Sequence, residues 1–419
     1  MYRLGVISLG LLILLSFWVV SCSISPSSPV GIVYVSMLGS DNNDGLSPEK
    51  SVRSITKAVK VAKSLQASSV EIRIAKGVYL KGLGLNSSGD GVVIDISNIT
   101  ISGGWDESFS SVTGRSELGG DGLLNHVIVI HRATNVVLKG IVVKGGNAYN
   151  VGPGGDLDYN SCGGGIFVSN VYYLVIDSSV DICDNYAKIG GGIYVGWTSN
   201  ATIDANIYSN VGDYGGGGVY VWSSSDNNFG GNIYLNSAFA GGGVVVDSSY
   251  RTTIDGNVFS NEAASDGGGI YLFYSPDSSI NANLYFNVAK TNGGGMFVEH
   301  SGSSSISGSV YSNSSIYGGG ISLYYSDRVS IDANVYGNVA NQGGGMYTYH
   351  SGYIRIIGSF YNNKAEDVGG GIYLSFSDYF TNVGRITNNL ASASNGGIFN
   401  NYSDYSYYGF ITNNIPNDY

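Results

Sequence analysis

The feature that most constrains this chain is a ruler of about 26 residues running through its C-terminal part. Taking the last glycine of each Gly-Gly-(Ile/Val/Met) signal as a marker gives Gly165, Gly192, Gly218, Gly243, Gly269, Gly295, Gly320, Gly345, Gly371 and Gly397, in steps of 25 to 27 residues. A second marker, an asparagine three places after an apolar residue, runs independently from Asn185 to Asn414 with the same period. Each unit reads as a short apolar strand such as Gly192-Ile193-Tyr194-Val195, a polar turn, a strand such as Thr202-Ile203-Asp204-Ala205-Asn206, and then Ile207-Tyr208-Ser209-Asn210. No unit has room for a helix. Short strands separated by turns and repeating at this length are what one coil of a parallel β-helix requires.

Stacked coils lie about 4.8 Å apart, so equivalent positions form ladders along the axis. One residue past the marker the line is apolar and inward, from Ile166 and Ile193 to Ile398. Alternation then turns the next residue outward. On that line stand Tyr194, Tyr220, Tyr271, Phe297, Tyr347 and Tyr373, the candidate ligand-binding residues, because flat rings on a rigid face can stack on sugars or insert into a protein partner. The competing reading is that they only steady the sheet through neighbour contacts. A second outward line is Tyr208, Tyr234, Phe259, Tyr285, Tyr311, Tyr336 and Tyr361. The asparagines Asn210, Asn236, Asn261, Asn287, Asn313, Asn338, Asn363 and Asn389 read as a structural ladder at a corner, each amide satisfying the next or a turn backbone group. The marker glycines are expected to supply the positive φ of such corners.

Composition agrees. Of 419 residues 64 are Gly and 33 Tyr, and only 12% are charged. So few Lys, Glu and Arg exclude a long-helix protein, whose exposed faces those residues clothe. A net charge of -11 without any basic cluster excludes nucleic acid as a partner.

Residues 1–21 carry Arg3 and then an apolar run from Leu4 to Val20, the pattern of a secretory signal. Its end, Val19-Val20-Ser21-Cys22, resembles the bacterial lipobox, which implies cleavage before Cys22 and acylation of that cysteine, with the membrane as partner through the N-terminal lipid. An uncleaved membrane anchor is the alternative. Either way the expected location is exported, in the bacterial cell envelope, with Ser23 fitting the outer membrane or cell surface. The division expected is a lipoprotein signal peptide at 1–21, a Ser/Pro tether at 22–30, an N-terminal cap and first coil at 31–105, irregular early coils at 106–162 and regular repeats at 163–419.

In the cap, Ile55, Ala58, Val59, Ala62 and Leu65 have the spacing of one helix face, with Ser54 placed to cap its start. This helix, the strand Glu71-Ile-Arg-Ile-Ala75 and the string Ser102-Gly-Gly-Trp105 resemble the N-terminal cap of right-handed parallel β-helix proteins of the pectin-lyase-like superfamily. The repeats are organised like those of chlamydial polymorphic outer membrane proteins, although the chain ends at Tyr419 without the β-barrel of that group. The fold expected is therefore all-β: a right-handed parallel β-helix with one short helix in its cap.

The superfamily implies polysaccharide lyases and hydrolases, but the residues give no catalytic set. The clearest acidic line, Asp226, Asp277, Asp327 and Asp378, has members two coils apart, roughly 10 Å, too far to share a Ca²⁺ bound at about 2.4 Å. No catalytic residue, metal site or cofactor is assigned. His300 and His350 occupy matching turns two coils apart, which duplication of a two-coil unit explains. Export permits a disulfide between Cys162 and Cys183, and two inert thiols are equally compatible. The function expected is a non-catalytic, lipid-anchored surface protein for adhesion or for binding glycans or surface proteins; the alternative is an enzyme acting on an acidic polysaccharide.

Overall fold

The computed structural model describes residues 30–85, 89–149 and 161–416. Signal peptide, tether and Cys22 lie outside the described residues, as do 150–160 in the early coils.

The chain forms a parallel β-solenoid of about thirteen coils. One coil runs Ile193–Gly196, Ser199–Ile203, Asn206–Tyr208 and Val211–Gly215. Its strands pair in parallel with those of the next coil, Ile193 with Val219, Ile203 with Phe229, Ile207 with Ile233 and Val211 with Ser237. The offset of 26 at each pair is the ruler of the sequence made physical: every strand finds its hydrogen-bonding partner one period on. The ten strands that follow the glycine signals, with Val92–Ile94 and Ile128–His131 before them, build a twelve-stranded sheet. Ile, Val and Leu from all faces fill one continuous bore, with Ile193, Val195, Ile203 and Ile207 at most 1% exposed.

The one α-helix among the described residues, Ile55–Ser64, closes the N-terminal end of the solenoid. The Ser54 hydroxyl accepts from the Lys57 N–H, and Ile55, Ala58, Val59 and Ala62 are buried against the first strands. Asp41 holds the helix start, accepting from the N–H of Arg53 (3.0 Å) and of Ser54 (2.8 Å). A cap of this kind hides apolar side chains that an open coil would expose.

The glycines divide their labour differently from the expectation. In each triplet only the first residue has positive φ, as in Gly293 at 60°. The second and third are needed because backbone passes close by: a Cβ on Gly294 would lie 2.4 Å from the Gly319 carbonyl oxygen, and one on the marker Gly295 lies 2.6 Å from that of Gly320.

Candidate functional site

Two polar ladders inside the coil corners fix the geometry on which any site must be built. Along Asn210 to Asn414 each asparagine presents its Oδ1 to the backbone N–H and the Nδ2 of the asparagine one coil before it, as Asn313 does for Asn287 at 2.9 and 3.1 Å, and Asn185 starts the ladder by accepting from the Gly146 N–H. Its Nδ2 also reaches a buried carbonyl, that of Val258 at 2.8 Å for Asn287. A second ladder at another corner, six residues past the marker, runs Thr198, Ser224, Ser249, Ser275, Ser301, Ser326, Ser351 and Ser377. Each hydroxyl accepts the backbone N–H of the residue one coil before, at 3.0 Å for Thr198 N to Ser224 Oγ and 2.8 Å for Ser275 N to Ser301 Oγ. Buried N–H groups that a bend would leave unpaired are thereby satisfied.

Of the six rings expected to form an open platform, four are covered and two are half-buried. Tyr194, Phe297, Tyr347 and Tyr373 are 3 to 8% exposed, and Tyr220 and Tyr271 are half-buried. They do point away from the bore, but the segment that precedes each glycine signal folds back over them. Ile189 and Cys162 pack with Phe167 and Tyr194, and Val368 packs with Tyr347 and Tyr373, giving small satellite cores outside the main one. Burial drives the phenol of Tyr347 up to about 12. Burial raises the Tyr220 and Tyr271 phenols as well, and they donate to carboxylates, Tyr220 to Asp247 at 2.7 Å and Tyr271 to Glu299. The second outward line is a half-buried stack, with ring centroids from Tyr208 to Tyr361 spaced 4.8–5.0 Å.

The open aromatic surface lies elsewhere, five residues past the marker. Tyr274, His300, Tyr325, His350, Phe376 and Tyr402 stand one per coil, with centroids 4.6–5.5 Å apart and planes within 11° of parallel. Tyr274, Tyr325 and Phe376 are 44–49% exposed and Tyr402 79%. All six have positive φ, between 44° and 57°. The corner is locked there by hydrogen bonds to the next coil, such as His300 N to the Tyr324 carbonyl (3.1 Å) and Tyr325 N to that of Tyr349 (3.0 Å). A bulky residue in this conformation costs about 1–2 kcal/mol, and one stacked pair returns about 0.5–1.5 kcal/mol. The rings thus bring the fold little net stability over Gly or Asn at this corner, and the conformation itself is common to the solenoid's corners, Leu235 and Phe286 holding it elsewhere. The fixed offset from the marker was available as a signal; what hid it was the mixed chemistry of the line, which interleaves His with Tyr and Phe and gives way to Ser223 and Ser248 upstream.

The remaining candidates have structural partners. Asp226 pairs with Arg251 at 2.7 Å, the Gly352 N–H donates to Asp327 and the Asp404 N–H to Asp378. Among the described residues no three His, Cys, Asp or Glu side chains converge as metal ligands. Cys162 and Cys183 are both buried and do not pair with each other, and burial pushes the Cys183 thiol up to about 11.

No curated protein matches the sequence at a significant level. Among solved structures, a GH136 lacto-N-biosidase from Eubacterium ramulus aligns over 92% of this chain and 68% of its own at 11% identity and a TM-score of 0.45. The A-module of a mannuronan C-5 epimerase from Azotobacter vinelandii aligns over 85% and 93% at 14% identity and a TM-score of 0.35. Residues 142–341 match the family model described as periplasmic copper-binding protein (NosD), so the chain is a parallel β-solenoid whose central coils are similar to that family.

Proposed function

We propose that this chain is an exported, non-catalytic binding protein that holds an extended glycan along its corner ladder of rings. The observation that carries the reading is the row Tyr274 to Tyr402: six parallel, largely exposed rings, one per coil, held at one corner in register. Neighbouring rings occupy each other's faces, so a ligand meets their edges, the tyrosine hydroxyls and the imidazole nitrogens at one set per coil. A polymer with a repeat near 5 Å would engage several coils at once, and multivalency would raise its affinity without any deep pocket.

Export is supported by the signal-like N-terminus and by the word periplasmic in the description of the matching family. Copper is not carried over, because the described residues do not fit it. His300 and His350 are two coils apart in the ring stack, Met296 and Met346 face the bore, and the two thiols are buried apart from any histidine pair. Anchoring through an acylated Cys22, with display at the cell surface, completes the proposal. Loss of palmitate labelling in Cys22→Ala is expected, and retained labelling would refute the anchor.

The binding reading is tested by affinity electrophoresis in gels containing neutral or acidic polysaccharides. The double variant Tyr325→Ser, Phe376→Ser should lose retardation while keeping the β signal in circular dichroism. Undiminished retardation would overturn the ladder as the binding face.

A further inference from the structure

The corner ladder has a gap, and the gap is built as a site. Five residues past the marker the line reads Trp197, Ser223, Ser248 and Tyr274, all with positive φ between 44° and 50°, so all four project from the same corner in four successive coils. Small hydroxyls therefore lie between two large rings. Three coils separate Trp197 from Tyr274, a span of about 14 Å. A flat ring held between two others needs about 8 Å from plane to plane, so a pyranose and its hydroxyls fit. Because Tyr274 stacks on His300 on one side (4.6 Å, 3°), its other face looks along the axis into the gap. This is the N-terminal end of the stack, where a ring face is not taken up by a neighbouring ladder ring; Tyr402 is the other end. At the opposite end Trp197, 51% exposed, is braced edgewise by Trp222 at 4.5 Å, as Phe273 braces Tyr274 at 4.5 Å.

The floor carries a carboxylate. Asp247 pairs in register with Trp222 on one side and Phe273 on the other, which centres it between the two walls. It is oriented by two hydroxyls, Ser248 to Oδ1 at 2.8 Å and Tyr220 to Oδ2 at 2.7 Å. A carboxylate has about four acceptor positions, so two remain for hydroxyl donors from a ligand. Arg251, a cation near this corner, is already paired with Asp226 through Nε and a terminal nitrogen at 2.7 and 2.8 Å. Glu299 lies two coils further along the line of Asp247, so the local charge is negative.

Aromatic walls, a hydroxyl-lined floor and an oriented carboxylate form the chemistry that recognises an uncharged sugar, and we infer that this notch is the principal subsite for a neutral glycan, a uronic acid being repelled by Asp247 and Glu299. The inference rests on the glycan-binding reading above and names where on the ladder the sugar is gripped and of what class it is.

The probes are cellohexaose, xylohexaose and mannohexaose, with hexagalacturonate as the acidic counterpart, titrated into the protein while tryptophan fluorescence is followed. The described residues contain three tryptophans, and two of them, Trp197 and Trp222, form one wall of the notch. At least one neutral hexasaccharide should change the emission, and hexagalacturonate should not. Trp197→Ala should weaken that binding about tenfold, the worth of one aromatic contact, and Asp247→Asn, which keeps the shape but turns one of the two accepting oxygens into a donor, by about the same factor. If both variants bind as tightly as wild type while Tyr325→Ser, Phe376→Ser does not, the notch inference fails and the ladder reading stands. Preference for hexagalacturonate also overturns the notch. If wild type binds none of the four by fluorescence or calorimetry, both readings fail.

Discussion

Asn287 Oδ1 accepts two hydrogen bonds from Asn261, from its backbone N–H at 3.1 Å and from its Nδ2 at 3.0 Å. One side chain thus satisfies the corner of the preceding coil, while its own Nδ2 satisfies the Val258 carbonyl at 2.8 Å. Replacing it by Ala strands several buried groups at once and is expected to cost about 3 kcal/mol or more, read as a lowered urea midpoint. Asn287→Asp should be worse at neutral pH, since it sets a carboxylate against the Val258 carbonyl and Asn313 Oδ1, both acceptors. A midpoint unchanged in either variant would show that the ladder contributes nothing to stability.

The two uses of glycine separate experimentally. Gly294→Ala forces a methyl to within 2.4 Å of the Gly319 carbonyl oxygen, and adjacent coils must part, at about 3 kcal/mol or more. Gly337 has φ 63° but no heavy atom nearer than 3.8 Å, so Gly337→Ala is strained without a clash and should cost about 1–2 kcal/mol. Gly337→Asn should be close to neutral, because Asn362 holds the same conformation one coil on. Thermal melts of the three variants should rank in that order.

Alkaline pH should unfold the solenoid within a defined window. The Tyr347 phenol ionises near 10 in the unfolded chain and at about 12 in the folded one, because burial disfavours its anion. Between these values the unfolded state has released a proton that the folded state keeps, so stability falls as pH rises; below 10 both forms are neutral and the full contribution remains. Tyr194, Tyr220, Tyr271 and Tyr324 are raised for the same first cause and add to the effect. Melting temperature should be level in this respect from pH 7 to about 10 and then drop steeply towards 12. A level profile to pH 12 would contradict the burial of these rings.

The thiols supply a probe of the satellite core, where Cys162 packs, and of the outer ring stack, where Cys183 stands in register with Tyr208. Cys162 and Cys183 are 5% and 4% exposed, and Cys183 titrates at about 11 because its surroundings desolvate the thiolate. At pH 8 about one molecule in a thousand carries that thiolate, so in a Cys22→Ser background a disulfide reagent should react with neither until denaturant is added, and then with two. Rapid reaction of the native protein would place a cysteine at the surface.

The period, the bore and the asparagine ladder were legible because each depends on one repeated residue type at one offset. Ile193 and Val219, or Asn210 and Asn236, look alike on the page and sit alike in space. The cap helix was legible too, since Ser54, Ile55, Ala58 and Ala62 form a local pattern. The roles of Tyr194 and Tyr274 were not. Alternation says which side of its strand a ring leaves by, and it is silent about which other segment lies over that side.

That distinction divides what is known of this protein. By itself the sequence determined that the chain must coil, how long each coil is and which side chains fill it, because a parallel ladder is satisfied only when strands recur at one spacing. Only the tertiary structure decided which aromatic line faces water. Val368 and Ile189, each five residues before the ring named, fold back over Tyr373 and Tyr194 and over Tyr347 and Phe167 of the preceding coil, while among the described residues the rings from Tyr274 to Tyr402 stay largely open. Exposure is a property of the space between segments, and the notch between Trp197 and Tyr274 exists only once four coils are stacked.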